Sequence, residues 1–246
     1  MMFRQIFGAT TRWLVMAAAM LLVSISHAQT AAQDPIEAGA AALARGHSAT
    51  AYRAWIDLAR AGNAQAQNNI GYLHEHGLGL SQSYQSAMEW YRKAADKNLP
   101  QAQYNIGTLY YYGYGVERNA REAVRWFQMA ADQSLAAGEY MLALASQQGK
   151  GTSLDYAKAR RLFLSSARKN YGDAQLMYAY MLQAGEGADS MPLSAYVWGK
   201  IAEANGVEAA IDVTSLSSIL LSDREMARAE SIIAQCLAEG LEACPE

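Results

Sequence analysis

Residues 101–116 read "QAQYNIGTLYYYGYGV", three consecutive tyrosines running into a Gly-x-Gly. The stretch is a phosphate-cradling glycine loop, a piece of a pore or the end of a helix. Ala102, Ile106, Leu109 and Tyr110 follow the i, i+4, i+7, i+8 spacing that paints one helical face. Gly113 then supplies the left-handed residue that commonly closes a helix. Beyond the turn, "NAREAVRWFQMAA" (119–131) sets Ala123, Trp126, Phe127, Ala130 and Ala131 on one face, with Arg121, Glu122, Arg125 and Gln128 opposite. Asn119 suits the N-cap of this second helix. The stretch therefore predicts helix, glycine turn, helix.

The pattern recurs at a fixed step of 36 residues, from Gly77 and Gly79 to Gly113 and Gly115, Gly149 and Gly151, and Gly185 and Gly187. Ala51, Ala87, Ala123, Ala159 and Ala195 keep the same step, as do Trp55, Tyr91, Phe127 and Phe163. A helix pair cannot bury its apolar face alone, so successive pairs must stack. The expected fold is all-α, a right-handed α-solenoid of helix pairs without strands. The small residues, Gly71 and Gly107 among them, mark places where helix backbones should approach closely. The first pair is degenerate, since "EAGAAALARG" and "SATAYRAWIDLARAG" have no Gly-x-Gly between them. The end, "VTSLSSILLSDREMARAESIIAQCLAEG", reads as polar-faced capping helices.

The motif Ala102, Ile106, Gly107, Tyr110, Gly113, Gly115 and Val116, continued by Ala123, Trp126, Phe127, Ala130 and Ala131, resembles the Sel1-like repeat. A second copy matches through Ala66, Ile70, Gly71, Gly77, Gly79, Ala87, Trp90, Tyr91, Lys93, Ala94 and Ala95. The resemblance covers Glu37 to Gly206, with departures at His74, Ala143 and Leu162. It implies a tetratricopeptide-like solenoid that binds proteins as an adaptor. Some exported members carry cysteine pairs in every repeat and are associated with β-lactam binding. This chain lacks those pairs, so a β-lactam or cell-wall hydrolase is the weakest reading. Other relatives act in envelope assembly, exopolysaccharide export or signalling, or as periplasmic immunity proteins against secreted toxins such as lipases and wall hydrolases.

Targeting and charge bound the role further. Arg4 and Arg12 precede the apolar run "WLVMAAAMLLVSI" and the small-x-small site Ser26-His27-Ala28, which predicts a cleavable signal peptide over 1–28. The alternative is an uncleaved anchor, but the run is short for a span. Repeats are expected at about 37–63, 64–99, 100–135, 136–171 and 172–206 within a solenoid over 29–206, and a cap over 207–246. The expected location is the periplasm, with secretion as the alternative, and the expected state is a monomer. Without the leader the chain has 18 basic and 23 acidic residues, a net charge of −5, which disfavours nucleic acid and anionic membranes. Cys236 and Cys244 are expected to form a disulfide that folds the tail back, with free thiols as the alternative.

Candidate chemistry is sparse. "GKGTS" at 149–153 lacks the glycine a phosphate loop needs, since Leu144 stands at that place. His74 and His76 are two apart and do not share a helical face. No Gly-x-Ser-x-Gly elbow occurs. No catalytic residue, metal or cofactor is expected. The family resemblance places the concave face on the first helices, at positions equivalent to 101, 104, 108, 111 and 112. Those columns carry Tyr72, Tyr104, Tyr111, Tyr112, Tyr140 and Tyr180 and little formal charge. Tyrosine joins a large apolar area to a polar tip, which suits a binding surface for an envelope protein or a secreted toxin. Tyr104 and Tyr140 have the competing role of packing between repeats.

Overall fold

The computed structural model describes residues 34–246. The signal-peptide reading of 1–28 lies outside the described residues. Among them the chain forms twelve α-helices and no strand. These pair as α1 (Pro35–Ala44) with α2 (Ser48–Arg60), α3 (Ala64–His76) with α4 (Tyr84–Ala95), and α5 (Pro100–Tyr112) with α6 (Ala120–Asp132). The series continues as α7 (Ala136–Gln148) with α8 (Tyr156–Arg168) and α9 (Gly172–Ala184) with α10 (Pro192–Ala204). Helices α11 (Ala210–Ile219) and α12 (Asp223–Glu239) close the end, followed by a short 3-10 turn, Leu241–Ala243. Each helix packs on its pair mate and on the next pair, which makes a solenoid.

Two kinds of junction alternate along the stack. Within the pairs from α3 onward, the first helix ends on a left-handed glycine and the loop needs a new cap. Ser83, Asn119 and Asp155 cap α4, α6 and α8, each accepting a backbone N–H through its side chain, as Asn63 also does for α3 at a junction between pairs. Between pairs, the turn is tighter and passes through Gly62, Asn98, Ser134, Asn170 and Gly206, all with positive φ. Leu99, Leu135 and Tyr171 then start α5, α7 and α9 without a side-chain cap.

The glycines of each Gly-x-Gly have different tasks. Gly113 closes α5 at φ +79°, with its N–H on the Leu109 carbonyl. Gly115 is also left-handed, but its second constraint is space, because a Cβ there would lie 2.5 Å from Cβ of Tyr84 in the preceding pair. The first glycine thus ends a helix and the second lets the loop touch the previous repeat.

The expected columns form the core. Ala51, Ala87, Ala123, Ala159 and Ala195 are fully buried, as are Tyr91, Phe127 and Phe163, with Trp55 nearly so. A Cβ on Gly107 would stand 2.6 Å from the Phe127 ring, and one on Gly71 equally close to Tyr91. Gly39 and Trp55 repeat this contact in the degenerate first pair, where the connection is shorter for want of the glycine loop.

Buried polar side chains tie the first helix of a pair to the far end of its mate. Gln133 Nε2 donates to Gln103 Oε1 at 2.8 Å, and Asn205 Nδ2 to Gln175 Oε1 at 2.7 Å. At the same place in the intervening repeat, Glu139 replaces the glutamine and Lys169 donates to it at 2.6 Å.

At the end, Cys236 and Cys244 are disulfide-bonded, with Cα atoms 5.3 Å apart. The tail lies back on the solenoid: the Pro245 carbonyl accepts from Trp198 Nε1 at 2.8 Å, and Arg168 pairs with Glu242 and Glu246. The expectation of a polar-faced cap needs correction at α11, which exposes Ile211, Leu216 and Ile219, with Leu220 just beyond. Alternating serines and apolar residues leave α11 with no strongly one-sided pattern, so burying Val213 and Ser217 against the stack turns those apolar side chains outward.

Candidate functional site

Residues at 101, 104, 105, 108, 111 and 112 share one side of α5 because their spacing follows the helical repeat. The same side of α3 faces them across a groove of about 530 Å³, lined by Asn68, Tyr72, Glu75, His76, Tyr104 and Thr108 among others. The floor is made of amides: Asn105 Nδ2 donates to Asn68 Oδ1 at 2.9 Å, and Gln65 Nε2 to Asn69 Oδ1 at 2.9 Å. Successive first helices also touch directly between α5 and α7. The first helices therefore share a continuous inner face.

The tyrosines expected on this face differ in exposure. Tyr72 is exposed and stacks near His76, with ring centroids 4.1 Å apart. Tyr112, at 53% exposure, is the most open of the six. Tyr111 is half-buried, edge-on to Tyr112 at 5.0 Å and 6.3 Å from Phe127. Tyr104 and Tyr140 are half-buried too, the first 6.0 Å from Phe127 and the second 5.8 Å from Phe163. Both do what the packing role requires while leaving an edge on the face. Tyr180 is half-buried against the C-terminal core and stacks with none of the other five among the described residues.

The phenols of the middle repeats feel one another. Tyr140 is pushed up to about 12, by burial first, then by the Asp173 carboxylate and the phenols of Tyr171, Tyr112 and Tyr104. Tyr171 is likewise pushed up to about 12 by burial, with Tyr104 and Asp173 adding to it. Tyr104 is raised mainly by burial. Tyr140 and Tyr171 lie 5.2 Å apart, with Tyr104, Tyr112 and Asp173 near enough to act on Tyr140, and burial holds Tyr104, Tyr140 and Tyr171 neutral at physiological pH.

Several members of this surface escape the column reading. Tyr171 is 5.2 Å from Tyr140 but occupies the helix-start position held by Leu99 and Leu135, which reads as packing. Asp173 stands in the column of Gln101, itself an inner-face position, so its spacing was the available signal. Tyr114 stacks on Tyr112 at 5.4 Å and on Tyr84 at 5.0 Å, extending the aromatic row over the loop edge. The reading of little formal charge is also too simple. Glu75 lines the groove and accepts from Tyr91 at 2.5 Å, and Glu186 accepts from Gln147 at 2.8 Å.

Elsewhere the structure assigns plain roles to the suggestive motifs. Gly149 of "GKGTS" is the left-handed cap of α7. His74 is half-buried and its basicity is lowered by desolvation, partly offset by Glu89, while His76 ends α3 with Nδ1 3.0 Å from the Tyr72 carbonyl. Among the described residues, no group of three His, Cys, Asp or Glu is placed to hold a metal ion. No described helix is long and apolar enough to cross a membrane.

Comparison with known families matches the Sel1 repeat to residues 64–99, 100–135, 136–171 and 172–206. Among solved structures, the chain is similar to a Sel1 repeat protein from Oxalobacter formigenes, at 25% identity and a TM-score of 0.68, covering 82% of this chain and 86% of that one. A protective antigen present in uropathogenic Escherichia coli strains, displaying an SLR fold, is 24% identical with a TM-score of 0.53 over 80% of this chain and 50% of the antigen. A Sel1 repeat protein from Klebsiella pneumoniae shares the fold at 17% identity and a TM-score of 0.52, over 75% and 91% of the two chains. A search of curated proteins found no match.

Proposed function

Because the chain belongs to the Sel1 repeat family, we propose that it is a non-catalytic adaptor that grips a protein partner on the inner face of its solenoid. The observation that carries this reading is the groove between α3 and α5, which continues into the tyrosine cluster of α5, α7 and α9. Half-buried tyrosines present area at little rotamer cost, because packing already fixes them. Tyr72, Tyr104, Tyr111, Tyr112, Tyr140 and Tyr180 are the proposed contacts, with the repeat array of 29–206 as the binding unit and 207–246 as its cap. A periplasmic, monomeric protein is part of the proposal; the leader-like residues 1–28 and the Cys236 to Cys244 bond support export to an oxidising compartment.

The test is site-specific photo-crosslinking in the bacterial cell. A photoreactive residue at Tyr72 or Tyr112 is expected to give a discrete protein adduct, and one at Arg125, on the exposed side of α6, to give none. Adducts at Arg125 with none at Tyr72 or Tyr112 would overturn the assignment of the face.

A further inference from the structure

The inner face differs from the outer one in charge as well as in aromatic content. None of the first helices α1, α3, α5, α7 and α9 contains a lysine or arginine, whereas every one of their partners α2, α4, α6, α8 and α10 does. Acidic residues occur in both sets. Of the first-helix carboxylates, Glu139 is neutralised by Lys169. Glu75 faces the groove, and Asp173 sits beside the tyrosine cluster with no hydrogen-bond or ion-pair partner among the described residues. Among the cations in the loops after first helices are Arg118, whose Nε is on the Tyr111 carbonyl, and Lys150, exposed beyond α7.

We propose that the partner segment held on this face is cationic, an extended polypeptide stretch bearing lysine or arginine. This rests on the reading of the inner face as the binding face and adds the chemistry of its occupant. Three features point the same way. Glu75 lines the groove beside Tyr104, and Asp173, in the first turn of α9, stands in the same column as the groove residue Gln101. Neutral phenol rings attract ammonium and guanidinium groups through their faces. The same pairing is already used inside this chain, where Lys93 lies 4.1 Å over the Trp90 ring and Arg160 6.0 Å from the Tyr178 ring. An acidic segment would meet Glu75 and Asp173 with no lysine or arginine on any first helix to offset them, while the amide floor of Asn68, Asn105 and Gln101 accepts and donates to a peptide backbone without preference for sign. The absence of lysine and arginine from all five first helices is the step that separates this occupant from an anionic one.

The experiment uses the purified leaderless chain and fluorescent dodecapeptides of alternating lysine and serine, or glutamate and serine. The lysine peptide is expected to bind and the glutamate peptide not to. Asp173→Asn with Glu75→Gln should weaken the lysine peptide by about tenfold, the scale of two exposed charge pairs. Glu89→Gln, on α4, should change it less than about twofold. Both are isosteric changes, and circular dichroism verifies that the helices persist. Equal binding of both peptides, or an affinity indifferent to Asp173→Asn with Glu75→Gln, would overturn the proposal. So would a neutral N-acetylglucosamine tetramer that binds in a Tyr112-dependent, charge-independent way, which would assign the face to glycan. Any of these results leaves the crosslinking at Tyr72 and Tyr112 as a separate measure of whether the face binds at all.

Discussion

Replacing Lys169 by methionine tests how the two helices of one repeat are locked together. The Glu139 side chain is 9% exposed; its Oε1 accepts from Lys169 at 2.6 Å and from Ser165 at 3.0 Å, and its Oε2 is buried without a partner. In Lys169→Met the carboxylate keeps only the serine. Breaking a fully buried pair costs about 3 to 5 kcal/mol. Lys169 itself is 33% exposed, so water reaches the vacated place, and we expect a loss of about 2 kcal/mol. For a chain of this size that lowers the melting temperature by about 4 to 8 °C. The decisive variant is Glu139→Gln with Lys169→Gln, which rebuilds the amide pair of Gln103 and Gln133. It should lie within about 1 kcal/mol of the parent, because neither buried partner is left charged. Urea unfolding followed by circular dichroism reads both. A double variant as unstable as Lys169→Met would refute the idea that the pair is an interchangeable version of the amide link.

Two further outcomes follow from backbone and burial. Gly151→Ala should cost well over 2 kcal/mol, since it combines φ +76° with a Cβ 2.2 Å from the Ala120 carbonyl oxygen, whereas Gly206→Ala, at φ +82° with open space around it, should cost only the backbone term of about 1 kcal/mol; urea midpoints of the two variants compare them directly. On raising the pH, holding Tyr140 and Tyr171 neutral contributes stability that is present below pH 10 and lost as the pH climbs through about 12. Tyrosinate absorbance between those values should therefore be the same in the parent and in Tyr140→Phe or Tyr171→Phe, and a drop in either variant would show that the group ionises normally.

The core was legible because its residues are held from two sides. Phe127 packs near Gly107 within its own pair and against Met141 and Leu142 of the next, so the aromatic class recurs at each step. The junctions were harder to read, since what repeats there is a conformation or a link and the residue changes. Gly62, Asn98, Ser134, Asn170 and Gly206 share a left-handed backbone under three different side chains. Gln103 with Gln133 and Glu139 with Lys169 are the same connection in different chemistry. Val213 and Ser217 direct α11 into the stack with so weak a pattern that the outward turn of Ile219 carried no signal in the sequence.

The inner face obeys neither constraint, and that is informative. Its columns run Asn68, Tyr104, Tyr140, Leu176 and Tyr72, Thr108, Leu144, Tyr180, so no residue class is imposed by stacking. Tyr104 and Tyr140 pack on Phe127 and Phe163, yet Asn68 and Leu176 fill the same column, so the stack needs a side chain there without dictating tyrosine. Tyrosine at 104, 112 and 140 of the middle repeats is therefore one choice among several that the repeat accepts. Binding energy in protein interfaces gathers on a few central aromatic residues ringed by weaker contacts. On this reasoning the footprint is centred on α5, α7 and α9, with Tyr72 at its edge and the first pair outside it.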